Sequence, residues 1–243
     1  MRLAGKTALV TGGGTGIGLG IALDLAHEGC RVAIAGRREA KLKEAAALFK
    51  GDVPLLVHAC DVADLADVAR LFAWSKGELG PLDILVNSAG VNVPRRSLAE
   101  LSTDDWDTML RVNASGAFYC MRAALPEMRQ RRDGLIVNIS SIAGIRSSLL
   151  GGIGYTASKF AMTAMGITAA REESQFGIRV TNIYPGEVET PILDHRPIPV
   201  SAEHRARILQ PEDVAAAVVM IACLPPRAHI SELVIKPTSQ DFA

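Results

Sequence analysis

The sequence lacks the features that mark metal sites, secreted proteins and membrane proteins. Its four cysteines (Cys30, Cys60, Cys120 and Cys223) lie far apart, form no C-x-x-C pair and have no histidine at metal-ligand spacing. They predict small buried thiols in a reducing compartment and no bound metal. No apolar run approaches the roughly 18 residues of a membrane span, and residues 1–6 lack the apolar core of a signal peptide. We therefore expect a cytoplasmic protein with no membrane partner.

The sequence also lacks an excess of charge of either sign. Lys plus Arg and Asp plus Glu number 26 each, so the net charge is zero. This balance predicts neither a basic surface nor a nucleic-acid partner. Internal repeats, low-complexity tracts and long linkers are missing as well. The 243 residues, 49% of them hydrophobic, predict a single domain over residues 1–243 with a sizeable buried core.

Short apolar runs alternate with longer helical patterns along the whole chain. The predicted strands are 7–10, 31–35, 54–58, 82–86, 135–139, 179–183 and 232–235. The predicted helices are 16–28, 40–49, 65–76, a long one from about 102, one through 155 to about 175, and 211–223. Strands separated by helices form parallel sheets that are covered on both faces. The sequence thus predicts an α/β fold of the doubly wound, Rossmann-like kind, a three-layer sandwich with a seven-stranded parallel sheet.

A glycine-rich turn, TGGGTGIG at residues 11–18, joins the first strand to the first helix. Gly12, Gly16 and Gly18 permit a tight turn that brings backbone N–H groups to a pyrophosphate at the helix N-terminus. The other two glycines of the turn receive no specific role. The pattern indicates a cofactor-binding half over about residues 1–140, and the alternative is a turn of this composition without a ligand.

Two arginines, Arg37 and Arg38, follow the second strand, where a protein that selects NAD would carry Asp or Glu. A guanidinium group binds a 2′-phosphate through several hydrogen bonds. We therefore predict NADP(H) as the preferred cofactor, with NAD(H) as the alternative. Glu39 lies close enough to neutralise part of this charge, and two solvated arginines at a strand end are the other interpretation.

Tyr155 and Lys159 are four residues apart and share one face if this stretch is helical. A positive charge near a phenol lowers its pKa, because it favours the phenolate. Such a tyrosine exchanges a proton with a carbonyl or alcohol oxygen near neutral pH. Taken alone, the pair also fits an aromatic side chain packed beside a solvated lysine.

Motifs along the chain, taken in order, resemble those of the short-chain dehydrogenase/reductase family in its compact single-domain branch. They are the turn at 11–18, Asp61-Val62, Asn87-Ser88-Ala89-Gly90, Asn113, Ser140-Ser141, Tyr155 with Lys159, and Pro185-Gly186-x-Val188-x-Thr190. The resemblance covers nearly the whole chain. It implies an oxidoreductase that transfers a hydride between NADP(H) and a carbonyl or secondary-alcohol substrate. It also implies helix pairing between subunits, in a homodimer or homotetramer.

The resemblance implies a role for each site residue. Ser141 would bond the substrate oxygen, Tyr155 would be the general acid or base, and Lys159 would lower the pKa of Tyr155 and hold the nicotinamide ribose. Asn113 would position a water that relays protons from Lys159. The cofactor-binding residues that it implies are Gly12, Thr15, Gly16, Ile17, Gly18, Arg37, Arg38, Asp61, Val62, Asn87, Ala89, Gly90, Tyr155, Lys159, Pro185, Gly186, Val188 and Thr190.

Three features depart from the family pattern. Ser88 replaces the second asparagine of its motif, and a hydroxyl still bonds locally. The spacing from Ser141 to Tyr155 is one residue longer than usual, which should reshape a pocket wall without moving the catalytic atoms. Thr15 stands where many NADP-binding relatives carry a basic residue, so Arg37 is the main support for NADP.

Three loops, 91–97, 144–154 and 191–208, are predicted to border the substrate, because ligands bind beyond the carboxyl ends of the strands. Their cationic or titratable side chains are Arg95, Arg96, Arg146, His195 and Arg196. These form either a rim that attracts an anionic carbonyl substrate or a set of solvated loop charges.

Two other functions stay open at this point. The first is an epimerase or dehydratase of the family's extended branch, although the turn spacing and the lack of a large C-terminal substrate domain oppose it. The second is a nucleotide-binding regulator or scaffold without catalysis. Such proteins usually lose the catalytic Ser, Tyr or Lys, and this sequence has all three.

Overall fold

Seven strands and eight α-helices form the part of the chain, residues 1–240, that the computed structural model describes. The strands are β1 (Thr7–Thr11), β2 (Arg31–Gly36), β3 (Leu56–Ala59), β4 (Ile84–Asn87), β5 (Gly134–Ile139), β6 (Ile178–Pro185) and β7 (Glu232–Ile235). The helices are α1 (Gly16–His27), α2 (Glu39–Ala46), α3 (Leu65–Leu79), α4 (Thr103–Leu110), α5 (Gly116–Arg131), α6 (Ile153–Glu173), α7 (Ala202–Arg205) and α8 (Pro211–Ala222).

All seven strands form one parallel sheet in the order β3-β2-β1-β4-β5-β6-β7. The chain winds outward from β1 to β3 and then crosses back to place β4 beside β1. Connections leave the carboxyl ends of β1 and β4 in opposite directions, and a crevice opens between them where ligands bind in sheets of this topology. The predicted doubly wound α/β fold is confirmed.

The central strand β1 shows how the sheet separates two apolar layers. All five of its residues are buried, which explains the continuous apolar run in the sequence. Ala8 and Val10 belong to one apolar cluster with residues of α1, α2 and α8. Leu9 belongs to a second cluster with residues of α3 and α5. Side chains alternate between the faces of a strand, so helices cover both faces of the sheet.

The long helix predicted from about residue 102 consists of three joined segments. Ser102 caps its start, because the Ser102 hydroxyl accepts a hydrogen bond from the Asp105 N–H at 3.1 Å. Helix α4 then passes through a π-helical turn, Arg111–Ser115, into α5. Such turns insert one residue into a helix and re-aim the side chains there. The turn contains Asn113, one of the predicted site residues.

The cysteines lie where the sequence predicts small buried thiols. Cys30, Cys60 and Cys120 are buried, and all four thiols are free. Burial raises the pKa of Cys30 and of Cys60 to about 12, so both thiols are protonated at neutral pH. Within residues 1–240, no three His, Cys, Asp or Glu side chains group to hold a metal ion. No helix of this part of the chain has the length and apolar character that a membrane span requires.

Candidate active site

A cleft of about 540 Å³ opens at the carboxyl ends of the central strands. Its walls come from the glycine-rich turn, from the residues that follow β2, β4, β5 and β6, and from the first turn of α6. Ser141, Tyr155 and Lys159 line it together with the turn. Of the site residues predicted from the sequence, all except Asn87 and Asn113 lie on its walls.

The glycine-rich turn folds back against the end of β4. Gly12 and Gly16 have φ angles of 66° and 55°, in the left-handed region that favours glycine. A Cβ at Gly12 would lie 2.8 Å from the Ala89 backbone. Thr15 is the N-cap of α1, yet its side chain makes no capping hydrogen bond. The first N–H groups of α1 therefore remain available at the cleft wall to an anion such as a pyrophosphate.

Gly13, which has no specific role in the sequence interpretation, is needed for packing. A Cβ at this position would lie 2.7 Å from the Ile34 side chain, closer than van der Waals contact permits. Ile34 is fully buried in β2 and has little room to shift in a close-packed core. The turn thus needs glycine for two reasons: backbone conformation at Gly12 and Gly16, and space at Gly13.

Arg37 and Arg38 extend from the end of β2 into the cleft wall. Both are exposed, and no carboxylate of residues 1–240 forms an ion pair with either. Glu39, which the sequence places as a neutralising neighbour, instead pairs with Lys43 at 2.7 Å, as expected for an i,i+4 pair on a helix. The two guanidinium groups can therefore bind a phosphate at the edge of the cleft.

Ser141 and Tyr155 face each other across the end of β5. Ser141 follows β5, and its hydroxyl accepts a hydrogen bond from the Ala143 N–H at 3.1 Å. Tyr155 lies in the first turn of α6. Burial raises the pKa of Tyr155, whereas a hydrogen bond with Ser141 and the positive charge of Arg96 act to lower it. The two hydroxyl groups therefore form one polar site.

Lys159 lies one helical turn beyond Tyr155 and is almost fully buried. Its Nζ donates a hydrogen bond to the Ile139 carbonyl at 2.8 Å and lies 5.7 Å from the centroid of the Tyr155 ring. Burial lowers the pKa of Lys159 to about 8, because desolvation disfavours the ammonium. The sequence predicts that Lys159 lowers the pKa of Tyr155 below its ordinary value. The structure gives the opposite direction, since burial of the phenol dominates.

Replacing Lys159 by Met should remove the contribution of this lysine to the pH dependence of the free energy of unfolding. The pKa of Lys159 is about 8 in the folded protein, against 10.5 for an unperturbed lysine. Between these values the unfolded chain binds more protons, so the free energy of unfolding of the parent rises with pH relative to Lys159→Met. The rise is at most about 3 kcal/mol. Urea denaturation from about neutral pH to about pH 10 measures it, with the exposed Lys50→Met as control. If the free energies of unfolding of the parent and of Lys159→Met differed by the same amount at every pH, the lowered pKa of Lys159 would be contradicted.

Asn113 is fully buried in the π-helical turn and does not reach the cleft. Its Oδ1 accepts from the Val91 N–H at 2.8 Å, and its Nδ2 donates to the Val91 carbonyl at 3.0 Å. Nδ2 also donates to the Ser158 hydroxyl at 2.9 Å. These bonds leave the amide engaged with protein groups. In this structure Asn113 ties the loop after β4 to α6, one residue before Lys159.

Asn113→Ala should lower the free energy of unfolding by roughly 2–5 kcal/mol, because it leaves the backbone N–H and carbonyl of half-buried Val91 without these partners. Ser158→Ala removes a smaller part of the network and should cost about 1 kcal/mol. Denaturant titration of the two variants beside the parent gives both values. Equal stability of parent and Asn113→Ala would show that these bonds do not hold the loop.

Asn87, which the sequence predicts to bind the cofactor, also does not line the cleft. Its side chain is buried, and Nδ2 donates to Asn138 Oδ1 at 2.9 Å. Asn138 Nδ2 in turn donates to Asn182 Oδ1 at 3.1 Å. The three residues are in register on β4, β5 and β6. Asn87 therefore belongs to a row of three hydrogen-bonded asparagines inside the sheet, below the cleft.

The other predicted cofactor positions after β3 and β6 do line the cleft. Asp61 also organises its own turn, because its Oδ1 accepts from the Ala63 N–H at 3.0 Å. Val188 forms a backbone bridge with Leu209, which supports the segment after β6. Thr190 packs closely on Gly16, where a Cβ would lie 3.0 Å from its methyl group.

Of the cationic or titratable side chains on the three loops, Arg96, His195 and Arg196 line the cleft. Arg96 is buried rather than exposed. Arg196 pairs with Glu187 at 3.0 Å, and His204 lies 2.7 Å from the same carboxylate. Glu187 lines the cleft and is a site residue that the sequence interpretation missed. Its carboxylate offsets part of the positive charge that would attract an anionic carbonyl substrate.

The fold and the cleft define a doubly wound α/β protein of the dinucleotide-binding class, with a serine, a tyrosine and a lysine on the cleft wall. A family model described as short chain dehydrogenase matches residues 6–198. The chain belongs to this family of oxidoreductases, as its motif order predicts.

Known relatives and solved structures cover nearly the whole chain. An uncharacterised oxidoreductase of Staphylococcus aureus (strain USA300) is 34% identical over 235 residues, which are 97% of this chain and 98% of the relative. An alcohol dehydrogenase from the archaeon Thermococcus sibiricus, complexed with 5-hydroxy-NADP, has a TM-score of 0.87 at 27% identity, covering 97% of this chain and 98% of that one. A serine dehydrogenase in its closed form with NADP⁺ has a TM-score of 0.87 at 31% identity, covering 98% and 97%.

Proposed function

We propose that the protein transfers a hydride between NADP(H) and a carbonyl or secondary-alcohol substrate, with Tyr155 as the general acid or base. The observation that carries this proposal is that Ser141, Tyr155 and Lys159 share one cleft with the glycine-rich turn. A substrate oxygen placed between Ser141 and Tyr155 would meet two hydroxyl groups. Donors aimed at an oxygen that gains negative charge stabilise the transition state.

NADP(H) is the preferred cofactor in this proposal, and NAD(H) is the alternative. Arg37 and Arg38 would bind the 2′-phosphate, and the turn at residues 11–18 would hold the pyrophosphate. Lys159 would hold the nicotinamide ribose. Three similar solved structures contain NADP or a derivative, and a further one contains NADH. When bound, the dinucleotide supplies or accepts the hydride.

The protein's own part in the reaction is to hold and move a proton. The raised pKa keeps the Tyr155 phenol protonated at neutral pH, ready to give its proton to the substrate oxygen in the reduction. Ser141 donates a hydrogen bond to the same oxygen. Once the proton has left, the positive charge of Arg96 favours the Tyr155 phenolate. Oxidation uses this phenolate as the base, so it should require a higher pH than reduction.

The test is NADPH absorbance with a panel of ketones, aldehydes, 3-oxoacyl thioesters and diketones, with Tyr155→Phe in parallel. Turnover by the parent that is lost in the variant would support the proposal and begin to identify the substrate. Equal rates in the two proteins would exclude Tyr155 as the acid. Binding of NADPH without turnover of any compound would favour the alternative function, a nucleotide-binding regulator or scaffold without catalysis.

The protein should form a homodimer or a homotetramer through α5 and α6. Phe118 on α5 is 43% exposed and Phe160 on α6 is 42% exposed, although large aromatic side chains are usually buried. Small residues beside them on α6, such as Ala161 and Ala164, allow close helix approach. Light scattering of the purified protein distinguishes the two assemblies.

A further inference from the structure

Arg96 is a buried cation whose charge favours the Tyr155 phenolate, but whose own hydrogen bonds play no part in the mechanism above. It is only 7% exposed. No carboxylate in residues 1–240 lies within ion-pair distance of it, whereas Arg196 nearby has Glu187. A buried charge is stable only when other groups replace its hydration. For Arg96 these groups are backbone carbonyls.

The guanidinium donates to three carbonyls in three different loops. Its Nε bonds the Val93 oxygen at 2.8 Å, and its Nη1 bonds the Leu150 oxygen at 2.8 Å. Its Nη2 bonds the His195 oxygen. These acceptors belong to the loops 91–97, 144–154 and 191–208, which border the substrate side of the cleft. A guanidinium presents its donors in a rigid planar fork, so it fixes the loops relative to one another.

The loop 191–208 is anchored to the core by the buried side chains of Leu193 and Ile208, but the apolar tips of the loops are exposed. Leu149 and Ile198 are 102% and 80% exposed, so the apolar tips of two of the loops contribute no buried contact. The Asn92 side chain donates to the Gly151 carbonyl at 3.1 Å, which joins two of the loops. The hydrogen bonds of the Arg96 side chain reach all three loops.

The backbone of Arg96 also sets the start of the helix that carries Tyr155. The Arg96 carbonyl accepts from the N–H of Ile153, the first residue of α6, at 3.3 Å. Gly152 has a φ of 77°, and a Cβ there would lie 2.6 Å from the Arg96 carbonyl oxygen. Arg96 and α6 therefore fit together closely, two residues before Tyr155.

We infer that Arg96 is a positioning residue, which joins the three substrate loops through its guanidinium and places Tyr155 through the first turn of α6. The consequence for catalysis rests on the proposed function, whereas the consequence for the loops rests on the contacts alone. The charged groups around Tyr155 are Lys159 on its own helix and Arg96 from the loop after β4. Beyond Arg96 lies Arg196, paired with Glu187.

Two substitutions separate the geometry of Arg96 from its charge. Arg96→Met removes the fork and the charge, whereas Arg96→Lys keeps the charge but cannot reach three carbonyls. Arg95→Met is the matched control, because Arg95 is the neighbouring arginine of the same loop and is exposed. Thermal unfolding checks that each variant is folded.

The first readout is amide hydrogen exchange of the protein without substrate. Arg96→Met and Arg96→Lys should exchange about tenfold faster in all three loops, because charge-assisted hydrogen bonds are lost. Arg95→Met should match the parent. Faster exchange only in 91–97, the same effect in Arg95→Met, or faster exchange throughout the sheet would each overturn the inference. This readout needs no substrate, so it stands even if the proposed reaction fails.

The second readout is the pH dependence of kcat/KM. Arg96→Met should lose about 10²-fold in kcat/KM, since a small misplacement of a reacting group costs this much, while the Kd of NADPH stays unchanged. Its profile should shift to higher pH, because a positive charge that favours the Tyr155 phenolate is gone. Arg96→Lys should keep the profile of the parent. A weakened Kd for NADPH, or an unshifted profile in Arg96→Met, would contradict the assignment.

Discussion

Tyr155→Phe is expected to lower kcat by about 10²–10⁴-fold, the range for loss of a general acid or base. The substitution removes the hydroxyl that gives the proton and leaves the ring in place. The contact between Lys159 Nζ and the ring, at 5.7 Å from the centroid, does not need the hydroxyl. NADPH affinity should therefore stay near that of the parent. Steady-state kinetics and fluorescence titration of NADPH measure the two quantities separately.

The control for this experiment is Tyr119→Phe. The chain has three tyrosines, and Tyr119 lies on α5 against Phe118, away from the cleft walls. Tyr184 is unsuitable, because its hydroxyl bonds Glu232. Full activity in both variants would show that another group supplies the proton. Loss in both would point to a general effect on the fold.

Arg37→Ala combined with Arg38→Ala is expected to weaken NADPH binding by about 10²-fold or more, while NADH binding changes little. Each hydrogen bond from an ionised donor to a phosphate is worth about 1.5–3 kcal/mol, and NADH has no 2′-phosphate. Glu39 pairs with Lys43, and no carboxylate within residues 1–240 pairs with either arginine of the parent. The ratio of kcat/KM for NADPH to that for NADH measures the change.

Arg31→Ala is the matched control, because Arg31 is an exposed arginine at the opposite end of the same strand, β2. The ratio should be unchanged in this variant. If the variant with both Arg37→Ala and Arg38→Ala kept the NADPH preference of the parent, other groups would bind the 2′-phosphate. Lys41 would then be the next residue to test, since it also lines the cleft.

The sequence alone predicts the features that depend on neighbouring residues. The glycines of the turn at 11–18 predict a tight turn and a helix N-terminus that is open to an anion. Both features depend on the local backbone conformation. The alternation of apolar runs with helical patterns is also visible among neighbouring residues, and it predicts the sheet that the structure confirms. The ends of helices and strands depend less on neighbouring residues alone. Helix α2, for example, ends at Ala46, three residues before its predicted end.

Tertiary structure decides which polar side chains face the cleft. Asn87 and Asn113 stand in motif positions, yet both turn to partners on other elements, Asn138 and Val91. Glu187 has no local signal, because its partners Arg196 and His204 come from a loop that folds back over it. The sequence contains these residues but not the distances between them.

The sign of the Tyr155 pKa shift is the sharpest case. The spacing of Tyr155 and Lys159 is local, and it predicts a lowered pKa through a neighbouring charge. Burial by several elements decides the result instead, raising the pKa of Tyr155 and lowering that of Lys159. Arg96 shows the same dependence, since its neighbour Arg95 is exposed although the two residues are chemically identical. Sequence thus determines which groups are available, and folding determines their solvation and their partners, because both depend on residues far away along the chain.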